Sequence, residues 1–169
     1  MKVSRSAILL LILCIVNATD EVGLVNDSHY SMSNTPDFPS GTVSRVSTDG
    51  TKKNLVVSSH NTMKFYNING RVIDNQTAYS ILLTENILSL RYRSDAKWLA
   101  VCGETSNLIY FMKQSDSSLQ YSIDHTVEVD SHPNSLDWVY HEDSLAVGLS
   151  NGNIAVLELN LTLNKFFIR

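Results

Sequence analysis

Chemistry in this chain would have to be built from five histidines, two cysteines and 17 carboxylates. The histidines are His29, His60, His125, His132 and His141, and no pair stands at the H-x-x-x-H spacing that puts two imidazoles on one helix face. Cys14 and Cys102 are too few for a Cys-rich zinc site, and no phosphate-cradling P-loop occurs. Glycoside cleavage would need two carboxyl groups held about 5–9 Å apart. Asp49, Glu85, Asp95, Glu104, Asp116, Asp130, Asp137, Glu142 and Asp143 are scattered, and no spacing marks such a pair. The segment Ser47-Thr-Asp-Gly-Thr51 reads as a turn, and Glu142-Asp143 as solvated charge in another. We therefore expect no catalytic residue, no metal ligand and no cofactor.

Charge narrows the partners. The formal net charge is −4 and the isoelectric point near 5.6, so no global basic field draws the protein to nucleic acid or an anionic membrane. Arg91, Arg93 and Lys97 bracket one strand and turn, without the aromatic interleaving of a nucleic-acid surface. With 43% hydrophobic and 18% charged residues, 169 positions suffice for one packed domain.

The N-terminus carries an address. Lys2 and Arg5 precede an apolar run from Ala7 to Val16, and Val16-Asn17-Ala18 supplies a small-residue cleavage site. Ten apolar residues rise about 15 Å as a helix, about half the hydrocarbon thickness of a bilayer. Residues 1–18 are therefore expected to be a cleaved signal peptide, with no membrane span after cleavage and a secreted or secretory-lumen destination. The mature chain would carry 11 basic and 17 acidic residues and one cysteine, Cys102, read as a small buried hydrophobe. On that route the sequons at Asn26, Asn75 and Asn160 become candidate glycosylation sites. Residues 19–40 are polar, contain two of the three prolines and show no sustained periodicity, so they read as a flexible linker.

The elements that must position any site emerge from an internal repeat. Leu88–Tyr92 and Leu99–Phe111 superpose on Asn134–Trp138 and Leu145–Leu157 at a single offset of 46, and a looser copy lies 44 or 45 residues upstream. Three units result, about 41–84, 85–130 and 131–169. In the third, strands are expected over Ser135–Tyr140, Leu145–Leu149, Ile154–Leu159 and Leu161–Ile168, with Ser150-Asn-Gly-Asn153 as a hairpin turn. In the second, the fourth strand is expected over Gln120–Val129. Helix-length amphipathic windows are absent, and β-branched and aromatic residues concentrate in the short runs. The fold class expected is all-β, a partial β-propeller of about three four-stranded antiparallel blades.

The stretch from Ser131 to Leu159, with its His-containing lead-in, small-apolar strand and Asn-Gly turn, resembles WD40-type repeats. His132 takes about the place of that family's Gly-His histidine, although Ser131 replaces the glycine and no unit ends in Trp-Asp. The resemblance implies a rigid protein-interaction platform without catalysis. On this reading the chain is a non-catalytic interaction or assembly module and not an enzyme. The alternatives are a truncated propeller product and a fragment of a propeller hydrolase or lyase. Binding would concentrate on Glu85, Asn86, Glu104, Asp130, His132, Asn134 and Asn151, in loops reaching the central channel. Three blades leave two uncovered sheet faces, so a protein partner or self-association is expected to complete the ring.

Overall fold

The computed structural model describes residues 31–32, 45–50, 53–69, 72–115, 120–139, 143–160 and 162–169, with the backbone alone at 31–32, 69 and 72–79. The expected signal peptide, the Asn26 sequon and most of the expected linker lie outside these residues. Strand β1 (Ser31–Met32) is followed by three antiparallel sets of four. The first is β2 (Arg45–Thr48), β3 (Asn54–Ser59), β4 (Thr62–Asn69) and β5 (Val72–Leu82). The second is β6 (Ile87–Tyr92), β7 (Trp98–Gly103), β8 (Leu108–Gln114) and β9 (Tyr121–Glu128). The third is β10 (Pro133–Trp138), β11 (Ser144–Leu149), β12 (Ile154–Asn160) and β13 (Lys165–Ile168). Each set forms one sheet in sequence order, and β1 adds to the first by pairing in parallel with Val72 and Ile73 of β5. That short pairing falls within the segment read from sequence as a linker. Among the described residues every regular element is a strand.

The sheets stack as blades, with β2, β6 and β10 innermost and in contact from one blade to the next. One core cluster joins blades one and two through Val56, Met63 and Phe65 against Leu90, Leu99, Val101 and Met112. The other joins blades two and three through Trp98, Ala100, Ile109 and Phe111 against Leu145, Val147, Leu157 and Phe166. Strand β7 therefore serves two neighbours: Leu99 and Val101 face blade one, whereas Trp98, Ala100 and Cys102 face blade three. Alternation along this strand chooses a neighbour rather than separating core from solvent, which is why all six residues are buried. Cys102 is a free, fully buried thiol whose Sγ faces the Pro133 carbonyl at 3.8 Å, and burial pushes its pKa up to about 12.

The repeat is real, but its register is not uniform. Leu90, Tyr92, Leu99 and Val101 occupy the same sites as Leu136, Trp138, Leu145 and Val147, at an offset of 46. Beyond the hairpin turn the equivalents become Tyr110 and Ala155, Met112 and Leu157, and Tyr121 and Phe166, at an offset of 45. Pairing shows the cause: Cys102 opposes Ile109, but its counterpart Gly148 opposes Ile154, so the third hairpin is one residue tighter. Gly152 at φ 85° makes that tighter turn, where a side chain would be strained. An uninterrupted offset of 46 would have turned Glu158 into the core, because a one-residue slip exchanges the faces of a strand. The last strand is also shorter than expected. Asn160 Oδ1 accepts the amides of Thr162 and Leu163, each at 3.0 Å, and this turn delays β13 to Lys165.

Candidate functional site

One end of the stack carries the turns that follow the innermost strands. In each blade the first residue of that turn donates its amide to the residue that begins or precedes the second strand. Asp49 donates to Asn54, Arg93 to Trp98 and Val139 to Ser144. The residues around these three positions line one cleft of about 460 Å³: Thr48, Asp49, Gly50, Tyr92, Arg93, Ser94, Asp137, Trp138, Val139 and Asp143. That volume lies within the range of small-molecule sites. Blade-to-blade bonds fix its walls. Ser47 Oγ accepts the Tyr92 amide at 3.1 Å, and Trp138 Nε1 donates to the Arg91 carbonyl at 3.0 Å. Gly50 lies so close to Ser94 that an added Cβ would sit 2.5 Å from the Ser94 carbonyl oxygen, so only glycine lets these turns meet.

The polar groups in the cleft are unequally committed. Asp49 is buried, and its carboxylate accepts the amides of Lys53 (2.9 Å) and Asn54 (3.2 Å) and the Asn54 side-chain amide (2.7 Å), so it holds its own turn. Arg93 forms an ion pair with Asp143 and lies 3.7 Å from Asp95. Asp137 is exposed and makes no hydrogen bond or ion pair among the described residues, which leaves its carboxylate available to a ligand. Such a cleft can accept hydroxyl donors at Asp137, present remaining guanidinium N–H groups from Arg93, and offer ring surface from Trp138. Among the described residues there is no group of three or more His, Cys, Asp or Glu suited to a metal ion.

The loops singled out from sequence lie at the opposite end. Glu85, Asn86 and Glu104 come together: Asn86 Nδ2 donates to Glu104 Oε2 at 3.0 Å, and Glu85 accepts bonds from Thr105, Ser106 and Tyr110. Burial acts to raise the Glu85 pKa, but the hydrogen bonds from Ser106 and Thr105 outweigh it and bring it down to about 2. Burial and the Glu85 carboxylate raise the Tyr110 hydroxyl in turn. His132 Nδ1 lies 3.0 Å from the Ser106 carbonyl, and Asn151 Oδ1 accepts the Asn153 amide at 3.0 Å. Asp130 and Asn134 are exposed at this end. A Ser–His–acid relay is not formed, because Ser106 gives its hydroxyl directly to Glu85 while His132 meets a backbone carbonyl. Gly148-Leu-Ser-Asn-Gly152 matches the spacing of a nucleophile elbow. It sits on a β-hairpin turn, and its Ser150 hydroxyl faces Ser131 Oγ at 2.7 Å.

The Glu85 network predicts an acid-sensitive loop end. A carboxylate whose folded pKa is depressed contributes stability that is complete above its unfolded pKa near 4.5 and is lost as pH falls toward 2. Discounted for solvent screening, the loss is about 1 kcal/mol. Melting curves of the protein and of Glu85→Gln should differ most at pH 6 and draw together as pH falls through 4.5 toward 2. A constant difference across that range would refute this role.

Of the candidate glycosylation sites, Asn160 is exposed on the β12–β13 turn. Asn75 lies within β5, and its side chain is outside the described residues.

No family model matches the sequence, and no curated protein does. Solved structures do. A protein described as a 6-phosphogluconolactonase, from Bacteroides fragilis, superposes with a TM-score of 0.63 at 11% identity, over 75% of this chain and 37% of that one. A second so described, from Bacteroides uniformis, gives 0.64 at 9% identity, over 75% and 38%. The periplasmic gluconolactonase PpgL of Pseudomonas aeruginosa gives 0.64 at 10% identity, over 80% and 40%. The likeness is one of fold. It supports a β-propeller-like arrangement for this all-β chain, which spans about two fifths of the length of the proteins it matches. It also corrects two expectations, the non-catalytic interaction or assembly module and the absence of enzymatic activity, because these neighbours are named as lactonases. The first expectation came from strand and turn patterns, which report blade geometry and are shared by propellers of different chemistry, and the second also from the lack of a catalytic spacing in the sequence.

Proposed function

We propose that this chain is the three-blade share of a propeller hydrolase that opens lactones, with its reaction centre in the cleft bounded by Arg93, Asp137 and Trp138. The carrying observation is that equivalent turns of all three blades converge on one ligand-sized space, in a fold shared with lactonases. In the reaction, Asp137 takes a proton from water as the oxygen attacks the lactone carbonyl. Arg93 donates to the oxyanion that forms. The ring C–O bond then breaks, and the proton passes to the departing alkoxide to give a hydroxy acid. Closed propellers hold four to eight blades, so further blades, from a second copy or a partner protein, complete the ring. The secretory destination and glycan attachment at Asn160 belong to the same proposal, and the WD40 resemblance describes the pattern of the third blade within it. The test is proton release from gluconolactone by the full chain at constant pH. We expect turnover above the spontaneous rate and a loss of about 100-fold or more in Asp137→Asn. Release at the spontaneous rate, or an unchanged rate in Asp137→Asn, would reject the reading.

A further inference from the structure

The charge around the cleft selects among lactones. Among the described residues its lining contains three carboxylates, Asp49, Asp137 and Asp143, and one guanidinium, Arg93. Arg93 is already engaged by Asp143 and approached by Asp95. A phosphate needs several N–H donors or an unneutralised positive charge. Here it would meet a paired arginine and the open carboxylate of Asp137. An uncharged polyhydroxylated ring meets the reverse situation. Its hydroxyls can donate to Asp137 in charge-assisted bonds, and its C–H face can lie against Trp138. The indole is held for that contact: its Nε1 is bonded to the Arg91 carbonyl, and its ring packs edge-on against Phe166 with centroids 5.4 Å apart.

We infer that the cleft takes a neutral, hydroxyl-rich ring and excludes its phosphorylated counterpart. This inference rests on the lactone-opening reading for the identity of the site, but charge selection can be measured without turnover. Because opening the lactone creates a carboxylate, the same field that admits the substrate repels the product and hastens its departure.

The experiment is ligand-observed saturation-transfer NMR on the full chain, with glucose as the neutral ring and glucose 6-phosphate and inorganic phosphate as charged probes. Glucose is expected to bind at least about tenfold more tightly than glucose 6-phosphate, and inorganic phosphate alone should not compete. Asp137→Asn should weaken glucose by about fivefold or more, and Trp138→Phe, which retains an aromatic face, should weaken it less than Trp138→Ala. Equal or tighter binding of glucose 6-phosphate, or no saturation transfer to either sugar, would overturn the inference. Gluconolactone hydrolysis in the same preparations separates the two ideas. Phosphate exclusion without hydrolysis keeps this inference and removes the lactone-opening reading. Hydrolysis with equal affinity for both sugars does the opposite.

Discussion

Phe166→Ala is expected to destabilise the protein by about 3–5 kcal/mol, whereas Phe167→Ala beside it should change stability by less than about 1 kcal/mol. The two residues have the same chemistry and adjacent positions, but they face opposite sides of β13. Phe166 is 1% exposed and Phe167 46%. The Phe166 ring stacks on Phe111 with centroids 4.1 Å apart and 9° between planes, and it meets Trp98 and Trp138 edge-on at 5.4 Å. Truncation would leave a cavity among rings that are locked by one another and cannot readily collapse. Its amide also donates to His125 Nε2 at 3.0 Å, tying the last strand of blade three to the last strand of blade two. That bond uses backbone, so it survives both substitutions and leaves ring packing as the difference between them. Urea unfolding of both variants measures it. Equal losses, or a larger loss from Phe167, would mean that β13 is registered one residue away from the position described.

Gly103→Ala is the second large effect, at about 2–3 kcal/mol. A Cβ at this position would lie 2.0 Å from Glu85 Cδ and 2.3 Å from Glu85 Oε2. The carboxylate would have to swing away, abandoning the Thr105, Ser106 and Tyr110 donors it satisfies. A double-mutant cycle identifies the mechanism. With Glu85→Ala already present there is no carboxylate to displace, so Gly103→Ala should then change stability by less than about 0.5 kcal/mol. Additive losses would show that the glycine is needed for some other reason.

Much of the architecture could be read in advance, because blade geometry writes itself into local sequence. Continuous apolar runs at Leu99–Val101 and Leu145–Val147, together with the Asn-Gly turn, place β7, β11 and the start of β12. The residue lost at the third hairpin was hidden, because Tyr110 and Ala155 are equivalent in space but unlike in type. The side-chain cap by Asn160 was hidden too, since a sequon and a turn signal use the same asparagine. The cleft escaped notice for a different reason. Asp49, Arg93 and Val139 occupy one structural position, yet they share no side-chain chemistry and become neighbours only when the blades stack. Comparing the residue after each innermost strand at offsets of 44 and 46 would have gathered them. The loops of Glu85, Asn86 and Glu104 drew attention through their polar character, and their groups turn out to be largely occupied with one another.

The buried thiol of Cys102 gives the molecule an internal clock. It lies in the seam between blades two and three, beneath the Pro133 carbonyl, and burial holds it protonated with a pKa of about 12. A maleimide can reach it only when blade three lifts away and the sulfur ionises in solvent. The rate of alkylation under native conditions therefore times the parting of one blade from its neighbour, without any probe having to be installed.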